Sequence, residues 1–283
     1  MKELTQTPFS LFQKLKLLAN RPVKALSDVT PFTIHIENQR VSDEDLARFF
    51  KLYRYKCNQG SAEIINSKVF SYSFVVGYQH LGQLLLQSGM PDGLFGLIHT
   101  KALFQRHHRH DWRKPFNLVM ALASIEQTEK GNLYSIDIEF WQEDRLTLVN
   151  RNEILAKSKG YQGKNQQSAY SEIAGDFIGA DQINGKLARR YAQVSKDYNP
   201  IHLHHLSARM FGMKTSLIHG MYNVHWSLFQ LESQLPNDVK KVEVSFFKPC
   251  FIPSHIELVQ LTRQQYVITS KNREICHLKM TID

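Results

Sequence analysis

Apolar residues recur along this chain at two periods, and the switch from one to the other marks out its elements. Phe32 to Glu37 alternates apolar and polar, the mark of a short half-buried strand. Val41-Ser-Asp-Glu-Asp comes next, with Ser42 placed as an N-cap and Asp45 three residues on, close to a capping box. Leu46, Phe49, Phe50 and Tyr53 then fall at helical spacing. Period two returns in Asn117–Glu126, Tyr134–Trp141 and Leu146–Leu155, and again in Val242–Phe247, His255–Gln260, Tyr266–Ser270 and Ile275–Ile282. Such runs predict antiparallel strands with one buried face. Met221, Tyr222, Val224, Trp226, Leu228 and Phe229 make a stretch that is apolar on most faces, as suits a helix wrapped by a sheet.

The pattern occurs twice. Leu46-Ala47-Arg48 matches Leu187-Ala188-Arg189 at an offset of 141, with a short strand ahead of each. Leu97-Ile98-His99 matches Leu217-Ile218-His219 at an offset of 120, and each is expected to open an apolar helix. On that alignment the first copy carries about 21 extra residues between its helices. Ser158 to Ser168 is polar and glycine-bearing and reads as a linker, giving units at 1–167 and 168–283. A helix followed by a meander, twice over, predicts two α+β units.

The composition is that of a globular chain: 283 residues, 42% hydrophobic, with three cysteines (Cys57, Cys250, Cys276) that show no paired spacing. That cysteine usage fits a reducing compartment, with the cytoplasm as the expected location, and argues against a disulfide framework or a zinc ribbon. Ser10 to Ala19 is expected to be an amphipathic helix stopped before Pro22, packed on the body; Lys14 and Lys16 break any signal-peptide core. No window reaches the roughly 20 apolar residues of a membrane span. A formal charge of +9 points to anionic partners, among them coenzyme A and acidic acyl carrier proteins. No nucleic-acid-binding signature is present, so nucleic acid is not an expected partner.

Chemistry concentrates between Tyr191 and Ser207, where Asp197, Asn199, Pro200 and His202 fall close together. On one helix, residues five apart would lie roughly 140° apart around the axis. Pro200 disfavours helix at Asn199, so a turn can bring Asp197 and His202 together. Without further context the plain alternative is an aspartate capping the next helix and a histidine in a polar turn. The run Tyr191, Val194, Ser195, Lys196, Asp197, Tyr198, Asn199, Pro200, Ile201, His202 resembles the catalytic segment of the MaoC-like (R)-specific enoyl hydratases and 3-hydroxyacyl dehydratases. One position departs: Lys196 stands where that family usually has glycine, which bears on the ionisation of Asp197.

The resemblance implies a double hot-dog fold, α+β, with two antiparallel sheets each wrapping a central apolar helix in a pseudo-dimer. It also implies a lyase that interconverts (3R)-3-hydroxyacyl and trans-2-enoyl thioesters in fatty-acid metabolism, without a cofactor. Asp197 would orient and activate water and His202 would handle a proton, with Asn199 helping to position the water. Gly220, at a helix N-terminus, is the expected oxyanion donor. Ser195, His219, Met221 and Tyr222 are expected beside the substrate, an acyl-CoA or acyl carrier protein thioester. Further pairing into a homodimer is left open.

In the first copy, Thr100 aligns with Gly220 and Lys56 with Asp197, so its site is expected to be dead. Residues 70 to 105, including Phe74, Leu84, Leu85, Leu86, Leu94 and Phe95, would then help hold the acyl chain, although core packing accounts for them as well. His202, His204 and His205 do not have metal-ligand spacing, and no metal is expected. Arg106 to Lys114 is expected to be a solvated basic loop, the alternative being a grip on the coenzyme phosphates or an acidic carrier protein. Two other functions are consistent with a hot-dog scaffold: an acyl thioesterase, which needs no Asn-Pro-Ile-His turn, and a non-catalytic acyl-thioester binding protein.

Overall fold

The described residues form ten antiparallel strands: β1 (Phe32–Gln39), β2 (Ile98–Arg106), β3 (Phe116–Thr128), β4 (Gly131–Gln142), β5 (Arg145–Lys157), β6 (Asp176–Ile183), β7 (Lys241–Phe246), β8 (Ser254–Gln260), β9 (Gln265–Ser270) and β10 (Cys276–Ile282). The structure, a computed structural model, describes residues 31–53, 64–65, 68–90, 92, 97–158 and 173–283. The expected N-terminal helix, the 158–168 linker beyond Ser158, Lys56, Cys57, Leu94 and Phe95 lie outside the described residues.

The strands form one sheet in the order β1-β3-β4-β5-β2-β7-β10-β9-β8-β6. Read inward from its two edges, β1-β3-β4-β5-β2 and β6-β8-β9-β10-β7 are the same five-strand pattern. The strand order of the first half therefore recurs in the second, but the two sheets expected from sequence are joined. Strand β2 pairs with β7 from Lys101↔Ser245 to Gln105↔Lys241, and this seam makes a single continuous sheet.

Helix α1 (Asp43–Leu52) starts as its capping residues dictate, with the Ser42 hydroxyl accepting from the Asp45 N–H. The other helices with described bounds are α2 (Tyr72–Gln87), α3 (Gly185–Ser195), α4 (Pro200–Leu203), α5 (His205–Met210) and α6 (Gly220–Gln230). By topology α1 corresponds to α3 and α2 to α6. Both α2 and α6 are buried over most of their length, as a helix with apolar residues on most faces should be.

One expectation fails here. Leu97-Ile98-His99 does not open a helix: it leads into β2, whose Ala102 and Phe104 alternate inward. The matching tripeptide is extended too, since Leu217 bridges to Phe251 and His219 has extended backbone angles; the helix begins only at Gly220. The two places differ in the residues just downstream, which run at period two after His99 and at helical spacing after His219. The central helix of the first copy is α2. The starts of α1 and α2 lie 29 residues apart, and those of α3 and α6 lie 35 apart, so the second copy has the longer connection. Thr100 is not the counterpart of Gly220; that place at the helix start belongs to the buried Tyr72.

One buried apolar cluster runs through both copies. Across the boundary Tyr53 stacks on Tyr222 at 5.4 Å and on Phe229 at 5.0 Å, and Phe49 meets His225 edge-on at 5.1 Å. Such ring pairs contribute about 0.5–1.5 kcal/mol each beyond the area they bury, so the halves are held as one body.

Candidate active site

The turn that the proline dictates is present. Helix α3 ends at Lys196, whose φ of 59° is left-handed and reverses the chain. Asn199 then caps α4, its Oδ1 accepting from the Ile201 N–H at 3.4 Å, with Pro200 in the first helical turn. This hairpin of two helix ends carries Asp197 and His202 to within 4.0 Å of one another, measured from carboxylate Oδ2 to imidazole Nε2.

Each group is fixed by its other contacts. His202 Nδ1 lies 2.9 Å from the Leu217 carbonyl oxygen. A carbonyl only accepts, so Nδ1 carries the proton and the Nε2 lone pair faces Asp197. Asp197 Oδ1 accepts from the Tyr78 hydroxyl at 2.6 Å and from the Asn199 N–H at 3.1 Å. Oδ2 is the oxygen turned toward the imidazoles. The gap of 4.0 Å is too long for a direct hydrogen bond and suits one bridging oxygen, a water or a hydroxyl.

Burial works against ionisation of Asp197. The neighbouring His219 and His202 imidazoles and the hydrogen bonds from Tyr78 and Asn199 outweigh it and hold the carboxyl below its usual range. Burial also depresses His202, against the pull of Asp197 and the Leu217 carbonyl, and takes His219 down to about 3. At neutral pH the arrangement is a carboxylate beside a neutral imidazole whose free nitrogen is basic.

The other expected site residues divide. Gly220 is the first residue of α6, and no side chain caps that helix start. Its missing Cβ is filled by the Phe246 ring: a methyl there would sit 2.7 Å from Phe246 Cε1. Ser195 is buried, donating to the Tyr191 carbonyl and accepting from the Asp197 N–H, so it shapes the turn. His219 stacks on His202 with ring centroids 3.8 Å apart, and its Nε2 donates to the Asp197 carbonyl at 3.0 Å. It props the pair from behind and is itself buried. Met221 and Tyr222 are core residues; the Tyr222 hydroxyl turns away to donate to Asp181 on β6. All four of these residues are buried.

Two residues escaped the sequence reading. Tyr78, on α2 of the first copy, reaches Asp197 from 119 positions away. His99, on β2, stacks on Phe74 at 5.2 Å and lies 4.8 Å from Phe246. Tyr78 shares its helix with Tyr72, His80 and Gln83, so nothing local marked it or its target. Of the expected acyl-chain residues, Phe74 packs on Tyr78 at 5.5 Å, beside the site, while Leu84 and Leu85 are sealed in the core.

Asp197, His202 and His219 offer three ligand atoms within 4.8 Å of one another, close enough for a metal ion. The hydrogen bonding does not fit one. His219 Nε2 must carry a proton to donate to the Asp197 carbonyl, which leaves two ligands. His204 and His205 are exposed and outside this group.

Residues 175–275 match a family model described as the MaoC like domain. Over 66 residues the chain is 39% identical to 3-hydroxyacyl-thioester dehydratase X of Mycobacterium tuberculosis, a match that spans 23% of this chain and 23% of that relative. The crystal structure of HtdX from Mycobacterium tuberculosis superposes with a TM-score of 0.74 at 18% identity, covering 89% of this chain and 99% of that one. A second Mycobacterium tuberculosis protein, described as having a double hotdog fold, gives 0.55 at 13% identity, covering 91% of this chain and 96% of its own. At these identities the structural likeness is one of fold: hot-dog neighbours and a large antiparallel sheet.

Proposed function

We propose that this chain, whose residues 175–275 carry a MaoC like domain, is a hydro-lyase that adds water to trans-2-enoyl thioesters and removes it from (3R)-3-hydroxyacyl thioesters. The observation that carries this reading is the 4.0 Å gap between Asp197 Oδ2 and His202 Nε2, a space for one oxygen between an acceptor and a base. In hydration, water held there gives a proton to His202 Nε2 while its hydroxyl bonds to C3 of the enoyl group. Electrons move onto the thioester oxygen, and the proton on His202 passes to C2. Asp197 stays ionised, aligns the water and stabilises the transient imidazolium. Dehydration is the reverse.

Negative charge on the thioester oxygen needs a donor already in place. The N–H of Gly220 at the uncapped start of α6 is suited to that, with the helix dipole adding roughly half a positive charge. Phe246 packed on its Cα narrows the approach. Asn199 has its Oδ1 engaged with Ile201, so its share is to fix the turn that aims the pair.

The scaffold we assign is a pseudo-dimer of two hot-dog units, 1–167 and 168–283, the first having lost its own site and lending Phe74 to the acyl side. Its carriers are anionic: coenzyme A or an acidic acyl carrier protein. From Asn184 to Ser216 there are six Lys and Arg (186, 189, 190, 196, 209, 214) and a single acid, Asp197. Positive charge thus surrounds the turn that holds the pair. The free thiols of Cys250 and Cys276 fit a cytoplasmic setting.

Incubation with (3R)- and (3S)-3-hydroxyacyl thioesters in parallel, monitoring enoyl product and free thiol, tests the reading. Enoyl formation from the (3R) compound without thiol release is expected. Thiol release would make the protein a thioesterase. Tight binding of thioesters without turnover at any chain length would make it a binding protein.

A further inference from the structure

The first copy has no motif of its own, yet one of its side chains ends on the proposed catalytic carboxylate. We infer that Tyr78 is a positioning residue of the active site, supplied by the first half to the second, which holds Asp197 in the one orientation that leaves Oδ2 facing His202. The inference rests on the proposed hydration chemistry for its kinetic consequences, and on geometry alone for its structural ones.

A carboxylate has two oxygens, and a buried aspartate can rotate and exchange them unless something distinguishes one from the other. Here Oδ1 takes both available donors, the Tyr78 hydroxyl at 2.6 Å and the Asn199 N–H at 3.1 Å. The Asn199 bond is local and forms wherever the turn forms. The Tyr78 bond comes from α2, across the boundary between the halves, and is the long-range tie on that oxygen. Hydrogen bonds to an ionised group are about twice as strong as neutral ones, and burial strengthens this one further.

The helix is built to hold Tyr78 there. At Gly77, the preceding residue, a Cβ would sit 2.6 Å from Ile138 Cδ1, so the glycine lets α2 settle directly on β4. One turn back, Phe74 packs on the Tyr78 ring at 5.5 Å and is itself stacked on His99. Burial and the adjacent Asp197 charge push the Tyr78 phenol well above its ordinary value, so it remains a donor at any working pH. The titratable groups facing Asp197 are Tyr78 from α2, Tyr191 from α3, His202 from α4, His219 ahead of α6 and His99 from β2. Of these, only Tyr78 donates to a carboxylate oxygen at hydrogen-bond distance.

This arrangement gives the duplicated scaffold a purpose beyond holding substrate. The half without the motif completes the site, and the two copies cannot drift apart without loosening Asp197.

The test is an NMR titration of the Asp197 carboxyl carbon in the full chain, for the native protein, for Tyr78→Phe and for the protein carrying 3-fluorotyrosine at position 78. Loss of the donor in Tyr78→Phe is expected to raise the Asp197 pKa by about one unit. The more acidic fluorinated phenol is a stronger donor and keeps every contact, so it is expected to move the titration the other way. In turnover, Tyr78→Phe should lower kcat about tenfold with KM changed less than about twofold, and carry the acid limb of the pH profile upward with the carboxyl. An Asp197 titration unchanged in both forms, or displaced in the same direction by both, overturns the inference. The fluorinated form decides the matter if Tyr78→Phe does not fold. Because the titration does not need turnover, a chain that hydrates nothing would refute the dehydratase reading and leave Tyr78 to be judged separately.

Discussion

Lys196 sits where the resembling segment carries glycine, and its left-handed backbone explains the usual residue: φ is 59°, a conformation that costs an L-residue roughly 1–2 kcal/mol. The lysine keeps the turn at that cost. It is not among the groups that shift Asp197. Lys196→Gly relieves the strain but gains freedom in the unfolded chain, about 0.4–1 kcal/mol. The expected result is a stability gain between zero and about 1.6 kcal/mol in urea unfolding, with an unmoved acid limb. A limb displaced by more than about half a pH unit would put the cation back beside Asp197. At the pair itself, Asp197→Asn and His202→Ala should each lower hydration by at least about 10²-fold with the fold intact by circular dichroism. Near-normal turnover in either variant would remove that residue from the mechanism.

Helix α6 and the strand beside it form the second half of the site. Phe246 of β7 closes over Gly220, and β7 pairs with β2 of the other copy, so a strand seam backs the helix mouth. Gly220→Ala drives a methyl into the Phe246 ring and displaces it from the helix start. We expect destabilisation of about 1–3 kcal/mol and a larger fall in kcat than in substrate affinity; a companion Phe246→Leu should recover the stability. Unchanged melting in Gly220→Ala would show the ring is not seated as described. Elements with a strong local code were legible from sequence. These include the Ser42 cap, the Asn-Pro turn, the eight alternating strands and the wrapped helix after His219. The extended Leu97-Ile98-His99 was mistaken for a helix start because a shared tripeptide does not set the period of the residues downstream of it. Tyr78 escaped for a different reason. Its meaning lies in a contact 119 residues distant, and nothing in its own helix names the partner.

Over the whole molecule, burial of neutral histidines ties stability to pH. His99, His110 and His225 are depressed to about 4 and His219 to about 3, all by burial, from an ordinary 6.5. The unfolded chain therefore binds more protons than the folded one between about pH 4 and 6.5. Stability contributed by these groups is complete above that window and is lost as pH falls through it. Asp197, also lowered, acts in the same direction at still lower pH. The melting temperature should drop steadily from about pH 7 to about pH 5, before most carboxylates titrate; a flat profile there would mean that these imidazoles are not sealed. Among the described residues one ten-stranded sheet and one continuous core join the two halves. The most direct test of the central claim is to incubate a trans-2-enoyl thioester with the protein in water labelled with heavy oxygen and locate the label by mass spectrometry. We predict label at the C3 hydroxyl of an intact (3R)-thioester, and loss of this incorporation in Asp197→Asn. Label in a freed carboxylate, or equal incorporation by Asp197→Asn, would contradict the account.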